Sequence, residues 1–236
     1  MTDIPKTHPR YESLRVRELL VKGVESGIAS KAGLIAHGRG EAFDYILGEK
    51  TIELSEKAEQ AALAVLFSAR NPVISVNGNV AALVPGETVR LAERVDAKIE
   101  VNLFHRTEQR MRRISSTLAE HGARDVLGLE PDASIPGLDH ARGLCTEQGI
   151  YTADVVLVPL EDGDRAQALS RMGKKVITVD LNPLSRTART ADITIVDNIT
   201  RAFPNILELE PSDADFHNEK NLSGILKYMS EALLDM

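Results

Sequence analysis

Between Ser55 and Asn198 the sequence alternates between helical and extended patterning, and this alternation restricts the fold more than any single motif. The alanine-rich SEKAEQAALAVLFSA, with Ser55 placed to cap it, reads as a helix, and the β-rich PVISV that follows opens into Asn77-Gly78-Asn79. The order then repeats: a helix over 86–95, a strand over 98–103, a helix over 108–120 and a short strand over 125–127. A strand over 153–160, a helix over 163–172 and strands over 175–179 and 192–196 complete the series. Strands separated by helices predict an α/β fold with a Rossmann-like, mostly parallel sheet flanked by helices.

The flanking segments carry other patterns. Leu14, Leu19, Leu20 and Val24 recur at helical spacing and predict an amphipathic N-terminal helix. In KAGLIAHGRGEAFDYILGE an apolar run meets His37-Gly38-Arg39-Gly40 before a helix expected from Glu41, so the glycines mark a bend or a close backbone approach. The stretch 131–152 has no periodicity and reads as a functional or interface loop. Residues 212–236 begin polar and end as a helix. The expected organisation is one α/β domain, with a mainly helical part over 1–70, a Rossmann-like core over 71–210 and a linker and helix over 211–236.

With 43% hydrophobic and 27% charged residues among 236, and no apolar run of spanning length, the composition excludes a membrane-spanning helix. The N-terminus lacks the pattern of a secretory signal, which places the expected protein in the cytoplasm. Cys145 is the single cysteine, so neither an internal disulfide nor a thiolate metal cluster is available. A net charge of -7 argues against nucleic acid as a partner, and any bound phosphate must be met by a local group of arginines.

Such a group lies in VDLNPLSRTARTADITIVDN, residues 179–198. A strand running into Asp180-Leu181-Asn182-Pro183 must stop there, and ligands of open α/β sheets bind at such carboxyl ends. Ser185, Arg186, Thr187 and Arg189 follow with donors suited to phosphate, and the next strand exits into Asp197-Asn198. Further polar exits occur at Asn77 to Asn79, at 102–107 and at 161–164, all expected on one sheet edge. His37, between an apolar run and two glycines, is the histidine best placed for chemistry. The segment GLIAHGRGEAF also reads as a degraded dinucleotide fingerprint, with Phe43 where the third glycine belongs, so an NAD(P)-dependent oxidoreductase is one alternative. A non-catalytic nucleotide-binding regulator is another. No P-loop and no zinc-ligand spacing is present, and a hard cation such as magnesium is the expected ion.

The blocks IPKTHPRYESL, KAGLIAHGRGEAFDYILGEKT, VISVNGNVAALVP, NLFHRTEQR, VPLEDGDR and VDLNPLSRTARTADITIVDNI, in that order, resemble the archaeal phosphopantothenate synthetases, or 4-phosphopantoate:β-alanine ligases. The resemblance implies a homodimer that joins 4-phosphopantoate to β-alanine on the route to coenzyme A, using ATP and Mg2+ and releasing AMP and diphosphate. It implies ATP contacts at Arg17, Arg39, Asp180, Leu181, Asn182, Arg186, Thr187, Asn198 and Ile199. Substrate contacts would fall on Gly38, Gly40, Asn77, Gly78 and Asn79, and catalysis on Arg39, with His37, Glu41 or Asp162 as proton acceptor.

Overall fold

The computed structural model describes residues 5–212 and 215–234; Ile4, the first residue of the family-like blocks, and the last two of the expected terminal helix lie outside them. Three helices come first, α1 (Tyr11–Glu25), α2 (Lys31–Leu47) and α3 (Glu53–Ser68). The sheet region then runs β1 (Pro72–Val76), α4 (Gly78–Leu83), α5 (Pro85–Arg94), β2 (Lys98–Val101), α6 (Glu108–Glu120) and β3 (Val126–Leu127). A small hairpin follows, β4 (Ala133–Ser134) with β5 (Leu144–Cys145), and the sheet resumes with β6 (Val155–Leu157), α7 (Gly163–Arg171), β7 (Lys175–Val179), α8 (Arg186–Thr190) and β8 (Ile193–Ile195). The last helices are α9 (Ile199–Glu208) and α10 (Asn218–Leu234).

The main sheet has the order β3-β2-β1-β6-β7-β8 with every pairing parallel, as the alternating pattern predicts. Its central strands are buried on both faces, which is why PVISV and KVITV are continuous apolar runs rather than alternating ones. Ile74, Leu157 and Ile177 point to one layer, with α3, α5, α6 and α9, while Val73, Val156 and Val176 point to the other, with α7 and the hairpin. Chain order reverses between β1 and β6, so a crevice opens above their carboxyl ends.

Several sequence expectations are corrected. The HGRG segment is no loop: α2 is one helix from its Ser30 cap, which accepts from the Gly33 amide at 3.0 Å, to the left-handed Gly48 at φ 82°. Gly38 and Gly40 therefore sit mid-helix, where packing overrides their weak helix propensity. Ser55 caps nothing; it lies inside α3 and its hydroxyl donates to the Val196 carbonyl at 2.7 Å. The aperiodic 131–152 stretch is ordered by a buried carboxylate, since Glu100 accepts from the Thr146 amide and hydroxyl, both at 2.9 Å, and from the Ile150 amide at 2.8 Å. Cys145 is buried in β5, and burial pushes its thiol up to about 11, the opposite of an activated nucleophile. The short α8 and the whole of α9 were not anticipated from the sequence.

Glu59 on α3 is 1% exposed, and its carboxyl is met at 3.2 Å by Asn205 Nδ2. Burial raises its pKa from 4.5 to about 8, so between those values the folded protein keeps a proton that the unfolded chain has lost. Stability contributed at this site is complete at low pH and declines as pH rises toward the folded-state value. Glu59→Gln, which preserves the contact to Asn205, is expected to remove a component of that decline no steeper than ~1.4 kcal/mol per pH unit in urea denaturation measured across the range.

Candidate functional site

The crevice above β1 and β6 is a cavity of about 680 Å³. One wall is α2, from Gly33 through His37 and Arg39 to Phe43; opposite it lie the exits of β1, β6 and β7, and one end is closed by the chain after β2 and by Arg142.

The exits are tied to one another by their own polar side chains. Asn77 Oδ1 caps α4, accepting from the amides of Asn79 at 3.0 Å and Val80 at 3.2 Å, while its Nδ2 donates to the carbonyls of Pro159 and Leu160, both at 3.0 Å. Asn79 Nδ2 donates to the Gly33 carbonyl at 2.9 Å and so fastens α4 to α2. Gly78 is required because a side chain there would strike the Ile28 carbonyl and approach Arg110 Nη2 to 3.0 Å. These three residues line the cavity, and much of their polar capacity is spent in building it.

At the β7 exit, Asp180 accepts from the Asn182 amide at 2.9 Å and from Ser185 Oγ at 2.5 Å, and Ser185 caps α8 through the Ala188 amide at 2.9 Å. Burial holds the Asp180 carboxyl above its ordinary range, against the opposing effect of Ser185 and Asn182. Thr187 donates to the Glu161 carbonyl at 2.8 Å, which ties this exit to that of β6, and Leu181 packs its side chain against the cluster that includes Phe43 and Leu47.

His37 is 7% exposed, its Nε2 has no hydrogen-bond partner among the described residues, and burial lowers its pKa against the pull of Glu41 and Asp44. It is a neutral imidazole at neutral pH, able to accept a proton. Arg39 is exposed on the same helix, and among the described residues it makes no ion pair or hydrogen bond. The site thus combines a free cation, a neutral base and a hydroxyl-rich strand exit.

Six expected residues lie elsewhere. Arg17 Nε donates to both Glu41 oxygens at 3.2 Å and its Nη2 to the Tyr45 hydroxyl at 3.0 Å. Glu41 and Asn198 border a separate cavity of about 520 Å³ with Asp44 and Arg201. Asn198 caps α9 through the Thr200 amide at 3.1 Å, and the side chain of Ile199 is in the core. Arg186 is paired with Asp164 at 3.2 Å outside the main cavity, and Gly38 has open space where a side chain would project. Glu41 is therefore a poor candidate for the proton acceptor, because its carboxylate is committed to Arg17 and does not face the cavity that holds His37.

Sequence reasoning missed a buried charge group. Glu161, with a side chain 2% exposed, pairs with Arg142 and with Arg165 Nη1 at 2.5 Å; the two arginine side chains are 6% and 1% exposed. Burial first, and then mutual repulsion in the case of Arg142, brings each arginine down to about 10. Only the unusual length of the aperiodic 131–152 stretch hinted at Arg142.

A sequence model described as phosphopantothenate/pantothenate synthetase matches residues 54–235. The chain belongs to this family. A chain of Thermococcus kodakarensis is 58% identical over 229 residues, covering 97% of this chain and 88% of its own, and one of Methanosarcina mazei is 54% identical over 248 residues, covering 100% and 98%. A third, from Methanospirillum hungatei, is 51% identical over 242 residues, covering 99% of each. All three are named "4-phosphopantoate--beta-alanine ligase". In this family member, Glu161→Gln leaves two buried guanidiniums short of a counter-charge, and thermal denaturation is expected to show a loss of about 3–5 kcal/mol.

Proposed function

We propose that the chain condenses 4-phosphopantoate with β-alanine to 4'-phosphopantothenate on the route to coenzyme A, through a phosphopantoyl adenylate formed from ATP with release of AMP and diphosphate. The observation that carries this reading is near full-length similarity to relatives bearing the ligase name, joined to a cavity at the sheet's switch point with an unpaired arginine beside a hydroxyl-rich exit. Attack of a carboxylate on the α-phosphate brings two anions together, so neutralisation and positioning supply most of the catalysis. Arg39 is free to do this. Arg17 and Arg186 join it by exchanging Glu41 and Asp164 for phosphate oxygens. Asp180 and Asn182 meet ribose or base through the loop that also contains Leu181, Thr187 meets phosphate, and Asn198 with the Ile199 amide meets the purine.

The β-alanine amine must lose a proton as it attacks the adenylate, and His37 takes it, being neutral and unpaired at Nε2. Because the amides of Gly38 and Gly40 are consumed within α2, substrate contacts on that helix pass to the His37 and Arg39 side chains, with Asn77, Gly78 and Asn79 shaping the opposite wall. Mg2+ enters in this reading on the nucleotide phosphates. The working unit in this reading is a homodimer in the cytoplasm; no helix among the described residues is long and apolar enough to cross a membrane. The oxidoreductase alternative loses its basis, since a glycine loop for a dinucleotide is replaced by continuous helix.

The decisive assay is AMP and diphosphate release from ATP with magnesium, with each acid and amine omitted in turn. Release that needs both 4-phosphopantoate and β-alanine is the expected result, whereas ATP binding without AMP would make the protein a nucleotide-binding regulator. Arg39→Ala is expected to slow adenylate formation about 100-fold, the effect of losing roughly 3 kcal/mol of transition-state stabilisation. A near wild-type rate would remove Arg39 from the mechanism.

A further inference from the structure

Outside the main cavity, α2 is tied to the chain leaving β8 through one guanidinium. Arg201 of α9 donates through Nε to Asp197 Oδ1 at 2.8 Å, and its Nη2 lies 2.5 Å from the same oxygen. Nη2 also donates to Oδ1 of Asp44 on α2 at 2.5 Å, and Nη1 to Oδ2 at 3.3 Å. Asp197 is 1% exposed and Asp44 6%, and among the described residues no other cation pairs with either. Each buried carboxylate therefore depends on Arg201 for its counter-charge. Against the lowering effect of burial, Asp44 and Asp197 hold the guanidinium above its ordinary value. All three of its nitrogens donate to carboxylates, so Arg201, unlike Arg39, is neutralised within the fold and acts through its partners.

Those partners set two segments. Asp197 Oδ1 accepts from the Asn198 amide and Oδ2 from Thr51 Oγ1, both at 2.6 Å. With its one proton engaged there, Thr51 accepts from Asn205 Nδ2 at 3.0 Å, which fixes the direction of the chain. Asp44 lies seven residues beyond His37, on the same buried face of α2, and takes a long bond of 3.4 Å from Asn198 Nδ2. The helix is thus pinned on both sides of Gly38 and Gly40, by Asn79 at the Gly33 carbonyl and by Arg201 at Asp44. We infer that Arg201 is a positioning residue, which by bridging Asp44 and Asp197 fixes Arg39 on α2 relative to Asn198 beyond β8. The inference rests on the ligase reading, in which Arg39 meets the transferring phosphate and Asn198 the purine of one nucleotide. It names the device that keeps those two contacts in register, where a displacement of about 1 Å lowers a rate on the order of 100-fold.

A double-mutant cycle on adenylate formation tests this, with 4-phosphopantoate-dependent exchange of diphosphate into saturating ATP as the readout. Arg201→Gln is expected to lower kcat on the order of 100-fold while the KM for 4-phosphopantoate stays within about twofold. In an Arg39→Ala background the same change is expected to slow exchange by less than about 5-fold, because the contact it positions is already gone. Losses that multiply in full, or a near wild-type rate in Arg201→Gln, would overturn the inference. Arg201→Lys keeps the charge but reaches only one of the two carboxylates, so full recovery by lysine would overturn the bridge. Should Arg201→Gln fail to fold, Asp44→Asn, which leaves Arg201 paired with Asp197 alone, replaces it with an expected fall of about 10-fold. Failure of the ligase reading shows separately, as a wild type that neither exchanges diphosphate nor releases AMP. Backbone hydrogen exchange in wild type and the folded variant, followed by mass spectrometry, then still decides the bridge. Exchange accelerated in α2 and α9 but not in α7 supports it; acceleration shared by all three helices, or none in α2, overturns it.

Discussion

Glu161 holds the functional end of this molecule together. Its carboxylate follows β6, is nearly sealed from solvent, and binds one arginine from α7 and one from the inserted hairpin. A buried carboxylate shared by two guanidiniums tolerates little displacement, because moving either cation away leaves an uncompensated charge in a poorly solvating interior. The β6 exit, the first turn of α7 and the hairpin are thereby set relative to one another. Through the Glu161 carbonyl, which accepts from Thr187, the β7 exit joins the same unit.

Around that unit the cavity is built from groups that serve structure first. Asn77 bridges the β1 and β6 exits at the point where strand order reverses, and Asn79 clamps α2 over them. The side chains left without partners are consequently informative. Arg39 and His37 face the cavity from one helix, and Arg110 approaches it from the opposite end, each with donor or acceptor capacity that the folded chain does not use.

Much of this was readable in advance. Continuous apolar runs such as PVISV and KVITV announced buried parallel strands, and the Asp, Asn and Pro residues at their ends announced a polar crevice, because strand termination and turn chemistry are local properties. The HGRG segment hides its helix for a physical reason: two glycines weaken a helix by about 1 kcal/mol each, a penalty that the packing of Phe43, Leu47 and their neighbours outweighs. Ser55 differs from its local pattern in the same way, since a hydroxyl suited to capping instead satisfies the Val196 carbonyl across the fold. The turn that follows the hairpin is not legible locally because its amides are held by Glu100, distant in sequence, rather than by any period of its own.

By itself the sequence determined the fold class, the strand exits and the family-like blocks, all of which depend on periodicity and on residues close together in the chain. Tertiary structure alone decided which exits share a cavity, that Arg39 is free while Arg17 and Arg186 are paired with Glu41 and Asp164, and that Arg110 and Arg142 converge. Pairing, burial and convergence depend on distances between segments far apart along the chain, and those distances come into being only when the sheet and its covering helices pack.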